Sequence, residues 1–183
     1  MATGSRAKLL LAGALAGLVC LVPPASDRAA GQAPATAPAR TLGTADFLRL
    51  AHSSAALQAR AAELAATRDT RPEARAFAQR MVAFRREQIP RLEGAARANG
   101  LPVSSILDFE HQAILENLQP LDQLELSRRY AEVQIQALRQ ELQVYDAGAG
   151  APAEWVKPLV DELRPELQRM LEAAVRMREA VGP

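Results

Sequence analysis

Residues 156–177 limit what this chain can fold into more than any other stretch. Val156, Val160, Leu163, Leu167, Met170, Ala174 and Met177 recur at alternating four- and three-residue steps. That period puts them on one side of a helix, whereas a strand would scatter them over both faces. It is the seam of a helix buried against other helices of similar length. Pro158 and Pro165 lie seven residues apart on the opposite face, where water can satisfy the carbonyls they free.

The partners of that helix are visible upstream. Thr44 is placed to cap a first helix whose stripe is Phe47, Leu50, Ser54, Leu57, Ala61 and Leu64, ending near Arg68. Thr70 and Glu73 then form a capping-box pattern, with Pro72 in the first turn of a second helix. That helix runs to Asn99, where Gly100 stops it and Pro102 prevents its resumption. Its stripe is Phe77, Met81, Phe84, Ile89, Leu92 and Ala96, with one five-residue step beside the interior Pro90. An interior proline removes a backbone bond, so a kink is expected there.

A short helix fits residues 107–119, with Asp108 as its cap. Asp122 and Glu125 repeat the capping-box pattern before a fourth helix that runs to about Asp146. Leu124, Ala131, Ile135, Leu138, Leu142 and Tyr145 form its inner face, and "DAGAGAP" breaks it. No strand alternation, long repeat or glycine-rich phosphate loop interrupts the helical pattern. Four long helices and a short connector predict an all-α, up-down four-helix bundle over residues 44–181, with proline kinks.

The N-terminus has a different character. Arg6 and Lys8 precede the apolar run "LLLAGALAGLVCLV", residues 9–22, which has signal-peptide length and is short for a membrane span. Small-residue cleavage options follow, such as after Ala25 or Ala30. Residues 1–30 are therefore expected to be a secretory signal and residues 31–43 an Ala/Pro-rich tether, giving a periplasmic protein. Cys20 offers the alternative of a lipid anchor, but Val19 stands where that processing needs a small residue. Cleavage further on removes the chain's one cysteine, and with it any disulfide, thiolate ligand or thiol nucleophile.

Losing Arg6, Lys8, Arg28 and Asp27 takes 22 basic and 21 acidic residues to 19 and 20, a balance of about −1. A near-neutral surface gives no electrostatic case for nucleic acid. The basic pairs Arg85-Arg86 and Arg128-Arg129 read as solvated helix faces.

Several strings carry a family resemblance: "FLRLAHSSAALQARAAELAA", "PEARAFAQRMV", "LDFEHQAILENL" and "LRPELQRMLEAA". "EARAFAQRMV" is the most specific of them. Over residues 44–178 the chain resembles the bacterial domain of unknown function 4142 family, which implies an exported, ferritin-like bundle. Members commonly follow "RMV" with one residue and then Asp-His, where this chain has Phe84 and Arg85. By the same resemblance Gln58 stands where many members have an acid, and Leu138 and Met170 where a histidine is usual. Any metal or proton chemistry of such an inward set is expected to be absent here. Phe84 reads as an apolar plug and Arg85 as a permanent cation that neither ligates a metal nor cycles a proton near neutral pH.

The residue types agree. A di-iron site of the ferritin plan needs Glu-x-x-His on two helices, and this chain contains none. Its histidines are His52 and His111. His52 is expected at the margin of the first stripe, and His111 to tie the connector to the bundle by hydrogen bonds. Two histidines without thiols or spaced carboxylates make a poor zinc or copper site. Ser53, Ser54, Ser104, Ser105 and Ser127 lie in no nucleophile-elbow pattern. Asp161-Glu162 read as surface, and Trp155 as a lid over the bundle's end.

These readings lead to no catalytic, cofactor or metal residues. They describe an exported, non-catalytic bundle with a structural, interaction or envelope-stress role, its partner an envelope protein or a second copy. Membrane attachment is expected only if Cys20 is lipidated. A metal-binding or redox bundle, with His52 or His111 as residual ligands, is the alternative.

Overall fold

The computed structural model describes residues 42–68, 70–103 and 106–182. The proposed signal, the tether as far as Thr41, Cys20, Ser104 and Ser105 lie outside them. All the described residues belong to one unit, Pro38–Pro183. Its elements are α1 (Thr44–Thr67), α2 (Pro72–Ala98), α3 (Phe109–Leu118), α4 (Gln123–Gly148) and α5 (Val156–Val181). Among the described residues there is no strand, and no helix is long and apolar enough to cross a membrane.

The helices pack as a four-membered ring: α1 on α2 and α4, and α5 on α4 and α2. Their directions differ from strict alternation. Phe47 meets Tyr145 while Gln58 meets Gln134 and Glu141, so α4 runs antiparallel to α1. Phe77 meets Tyr130, Arg85 meets Glu141 and Gln88 meets Tyr145, so α4 runs parallel to α2. The order is up, down, down, up. Parallel α2 and α4 require a connection along the bundle's length, and residues 99–122 provide it. Its described residues include Asp108, bonded to Arg49 of α1 at one end, and Leu121, whose carbonyl accepts from Arg68 at the other.

Helix ends follow the expected positions more closely than the expected chemistry. Gly43, not Thr44, is the N-cap of α1. Thr70 makes no capping box. Its hydroxyl donates to the Ala65 carbonyl at 2.8 Å and so finishes α1, leaving Arg71 to precede Pro72 at the start of α2. Asp108 and Asp122 occupy the N-cap positions of α3 and α4 without side-chain capping bonds. The Asp108 carboxylate is drawn away by Arg49, with contacts of 2.7 and 2.8 Å. Gly100 adopts φ 66°, the left-handed conformation that ends α2.

Pro90 and Pro165 are exposed within continuous helices, and Pro158 falls in the first turn of α5, where its missing N–H costs nothing. Trp155 is the N-cap of α5 and packs partly buried against the core, as a lid would. The seam of α5 is as expected except that Met170 is only partly buried.

In α2 the inward row is Ala74, Phe77, Ala78, Met81, Arg85, Gln88, Leu92 and Ala96. Phe84 and Ile89 are only partly buried beside it. The five-residue step in the apolar pattern is therefore not where the row breaks. It is where two polar side chains take the inward positions.

Candidate functional site

Position on the seams brings the polar side chains together. Ser54 and Gln58 are one turn apart on α1, Arg85 and Gln88 one turn apart on α2, and Glu141 and Tyr145 one turn apart on α4. All six are buried, with Gln58, Arg85, Glu141 and Tyr145 at 0% exposure. Arg85 was expected on a solvated face and is instead among the largest fully buried side chains. Arg86 beside it is exposed, as are Arg128 and Arg129.

The centre is an ion pair in a frame of amides. Arg85 Nη1 donates to Glu141 Oε1 at 2.9 Å, and Nη2 to Oε2 at 2.7 Å. Gln58 Oε1 accepts from Nη2 at 2.6 Å while its Nε2 donates to Glu141 Oε2 at 2.7 Å. Gln88 does the same on the other flank, its Oε1 accepting from Nη1 and its Nε2 donating to Glu141 Oε1 at 3.1 Å. Gln88 Nε2 also donates to the Tyr145 hydroxyl at 3.0 Å. The Phe84 ring lies over the guanidinium, 4.9 Å from Cζ to the ring centroid. Phe84 thus covers the cation as well as filling space.

Burying two charges costs several kcal/mol per ion, and only near-complete pairing repays it. Here both carboxylate oxygens and both terminal guanidinium nitrogens are engaged. Three buried polar atoms nearby have no hydrogen-bond partner among the described residues: Arg85 Nε, the Tyr130 hydroxyl and Gln134 Oε1. Burial pushes the Tyr130 phenol well above its ordinary value against a smaller opposing pull from Arg85. Burial likewise raises Tyr145, so both phenols stay neutral. Tyr145→Phe is expected to cost about 1 kcal/mol through the lost Gln88 bond. Tyr130→Phe, which removes an unpaired hydroxyl, is expected to be neutral or stabilising. Paired thermal melts separate the two.

Neither histidine is bonded into this centre. His52 is buried on α1, with Nε2 3.2 Å from Glu93 Oε1. His111 Nδ1 is 2.7 Å from the Ser53 hydroxyl, which also accepts the Asp108 backbone N–H at 2.9 Å. Ser53 thereby holds the start of α3 against α1, the tie expected of His111. Ser53 and His111 have the spacing of a nucleophile and its base, but Ser53 is 2% exposed and its oxygen is committed to the connector. A cavity of about 160 Å³ beside them is lined by His111, Asp108, Glu110, Ser54 and Glu141.

Desolvation lowers the His111 pKa from 6.5, more than Asp108, Glu110 and Glu141 raise it. The folded state thus prefers the neutral ring. The associated stability is present above about pH 6.5 and is lost as pH falls through that value towards the lower folded one. Urea midpoints at about pH 7.5 and 5.5 should therefore differ more in the wild type than in His111→Gln.

The donor set does not suit a metal ion. Among the described residues no three His, Cys, Asp or Glu side chains converge as ligands. The central carboxylate has both oxygens hydrogen-bonded to the Arg85 guanidinium, which leaves neither free for a metal. Of the positions singled out by family resemblance, Gln58 and Arg85 meet at the centre. Leu138 is fully buried in the apolar core, and Met170 packs against it. Glu141 and Gln88 sit in no motif that marks them as inward. Their signal was the seam phase itself, since 81, 85, 88 and 92 keep the three- and four-residue steps across polar letters.

The sequence model of a family described as "Domain of unknown function (DUF4142)" matches residues 29–177. The chain belongs to the domain of unknown function 4142 family. Neither a curated protein nor a solved structure matches it. This member of the 4142 family places an arginine–glutamate pair at the middle of its bundle.

Proposed function

We propose that this chain is an exported, non-catalytic bundle of the periplasm, acting through interaction in the cell envelope, with a polar centre that is structural. The observation that carries the reading is the fully buried Arg85–Glu141 pair, which fills the middle of the bundle with a permanent cation. A guanidinium there supplies in a fixed covalent form the positive charge that a ligand-binding bundle would take from solution. Export rests on the basic, apolar and small-residue pattern of residues 1–30. Metal analysis of protein prepared from the periplasm without an affinity tag tests the reading. No stoichiometric iron, zinc or copper is expected. Close to one equivalent surviving mild chelation would sink it.

One observation favours a ferritin-like origin for the inert bundle. Its up, down, down, up order with a single long crossover is the connectivity of ferritin-like folds. The corresponding second reading is a bundle that keeps metal or redox chemistry through His52 or His111. Retained metal that disappears in His52→Ala or His111→Ala would establish it. A lipid anchor at Cys20 is a separate alternative, read from the mass of the mature N-terminus.

A further inference from the structure

We infer that Gln58, Phe84, Gln88 and Glu141 form a guanidinium receptor, complete without Arg85, that will take a free guanidinium ion when the Arg85 side chain is removed. The inference rests on the reading of the centre as structural. Among the described residues, the hydrogen bonds to the cation come from Gln58, Gln88 and Glu141 and its ring contact from Phe84, on three helices. Glu141 presents two oxygens to the two terminal nitrogens at 2.9 and 2.7 Å, the fork arrangement that a planar guanidinium matches and an ammonium does not. Gln58 and Gln88 bracket the pair, each turning its carbonyl oxygen to the cation and its amide nitrogen to the carboxylate. Both amides are thereby fixed in orientation by Glu141 whether or not the cation is tethered. Phe84 supplies a face over the carbon.

The Arg85 nitrogen nearest its own stem, Nε, finds no hydrogen-bond partner among the described residues, so the receptor reads only the part of the side chain that a free guanidinium reproduces. A cavity of about 160 Å³ between α1, α3 and α4 has Ser54 and Glu141 among its lining residues, while the Glu141 side chain itself is at 0% exposure, so a small ion enters only through local opening. The ligand class is therefore guanidinium and small alkylguanidiniums, the latter refilling part of the space of the lost stem.

The test is rescue of Arg85→Ala by ions at non-denaturing concentration. The variant alone should melt well below the wild type. On the order of 10 mM guanidinium or methylguanidinium should raise its melting temperature by roughly 3 °C while leaving the wild type unchanged or slightly lowered. Urea, planar but uncharged, and ammonium, charged but without the fork, should not reproduce the rise. Arg85→Ala/Glu141→Gln should lose the response. Equal rescue by ammonium or sodium overturns the inference, because the site would then read charge alone. Absence of any guanidinium effect overturns it too. If Arg85→Ala does not fold in buffer, recovery of helical signal on dialysis into guanidinium reads the same binding, and no recovery in either buffer counts against it. Metal content is measured on the wild type, so its outcome is separable from this one.

Discussion

Arg85→Met is expected to lower stability by about 3–5 kcal/mol, because it strands Glu141 as an uncompensated buried charge. In a bundle of this size that corresponds to a fall of about 10 °C in melting temperature. Glu141→Leu should cost a similar amount by stranding the cation. Arg85→Met/Glu141→Leu should cost less than either single change, since it removes both charges and leaves apolar groups of similar volume. The two glutamines keep the double variant from being free of cost, as each loses two partners. A double-mutant cycle by urea unfolding measures the coupling. Additive single costs would mean that the pair is not held together as described.

Gly148→Ala is the second large effect. Gly148 ends α4 against α1, and a Cβ built there lies 2.4 and 2.6 Å from two carbons of the Phe47 ring. Phe47 is at 0% exposure and stands edge-on to Tyr145 with 5.4 Å between ring centroids, so the ring has nowhere to go. Alanine is the better helix former by about 1 kcal/mol, yet the overpacking should outweigh this, giving a net loss of about 1–3 kcal/mol. The urea midpoint should fall at unchanged slope. Phe47→Leu in the same chain should recover part of the loss, and if it does not, the contact is not the cause.

The helices were legible in the sequence and the centre was not, for one physical reason. An apolar stripe records burial only through apolar letters. In α4 the apolar stripe runs through Leu138, Leu142 and Tyr145 and skips Gln134 and Glu141, which share that face and are at 0% exposure. In α2 the apolar letters point to Phe84, which packs partly buried against the core, and the basic pair points Arg85 to solvent, whereas Arg85 is at 0% exposure. Continuing the seam phase through 85, 88, 134 and 141 would have flagged the polar positions. It could not have paired them, because Arg85 and Glu141 meet only through the register of α2 against α4. Helix direction was hidden for a related reason. Periodicity is indifferent to direction, and the contacts that make α2 and α4 parallel depend on how residues 99–122 are laid down. The caps failed locally: Thr70 and Asp108 found stronger partners in Ala65 and Arg49 than in their own helix ends.

α5 stands apart from all of this. Its buried side chains are wholly apolar, and its cross-helix ion pairs, Arg91–Glu162 and Arg164–Asp146, lie on the surface, where such pairs contribute little. Opening of this helix would separate no buried charge, whereas parting α2 from α4 breaks the Arg85–Glu141 pair and lifting α1 strips the Gln58 bonds from it. Backbone amides along α5 should exchange with solvent deuterium sooner than those around Gln58, Arg85 and Glu141, through a sub-global opening rather than complete unfolding. Cooling, which weakens apolar attraction, should widen that difference. Three helices are joined through the polar centre, and α5 closes them as an apolar wall.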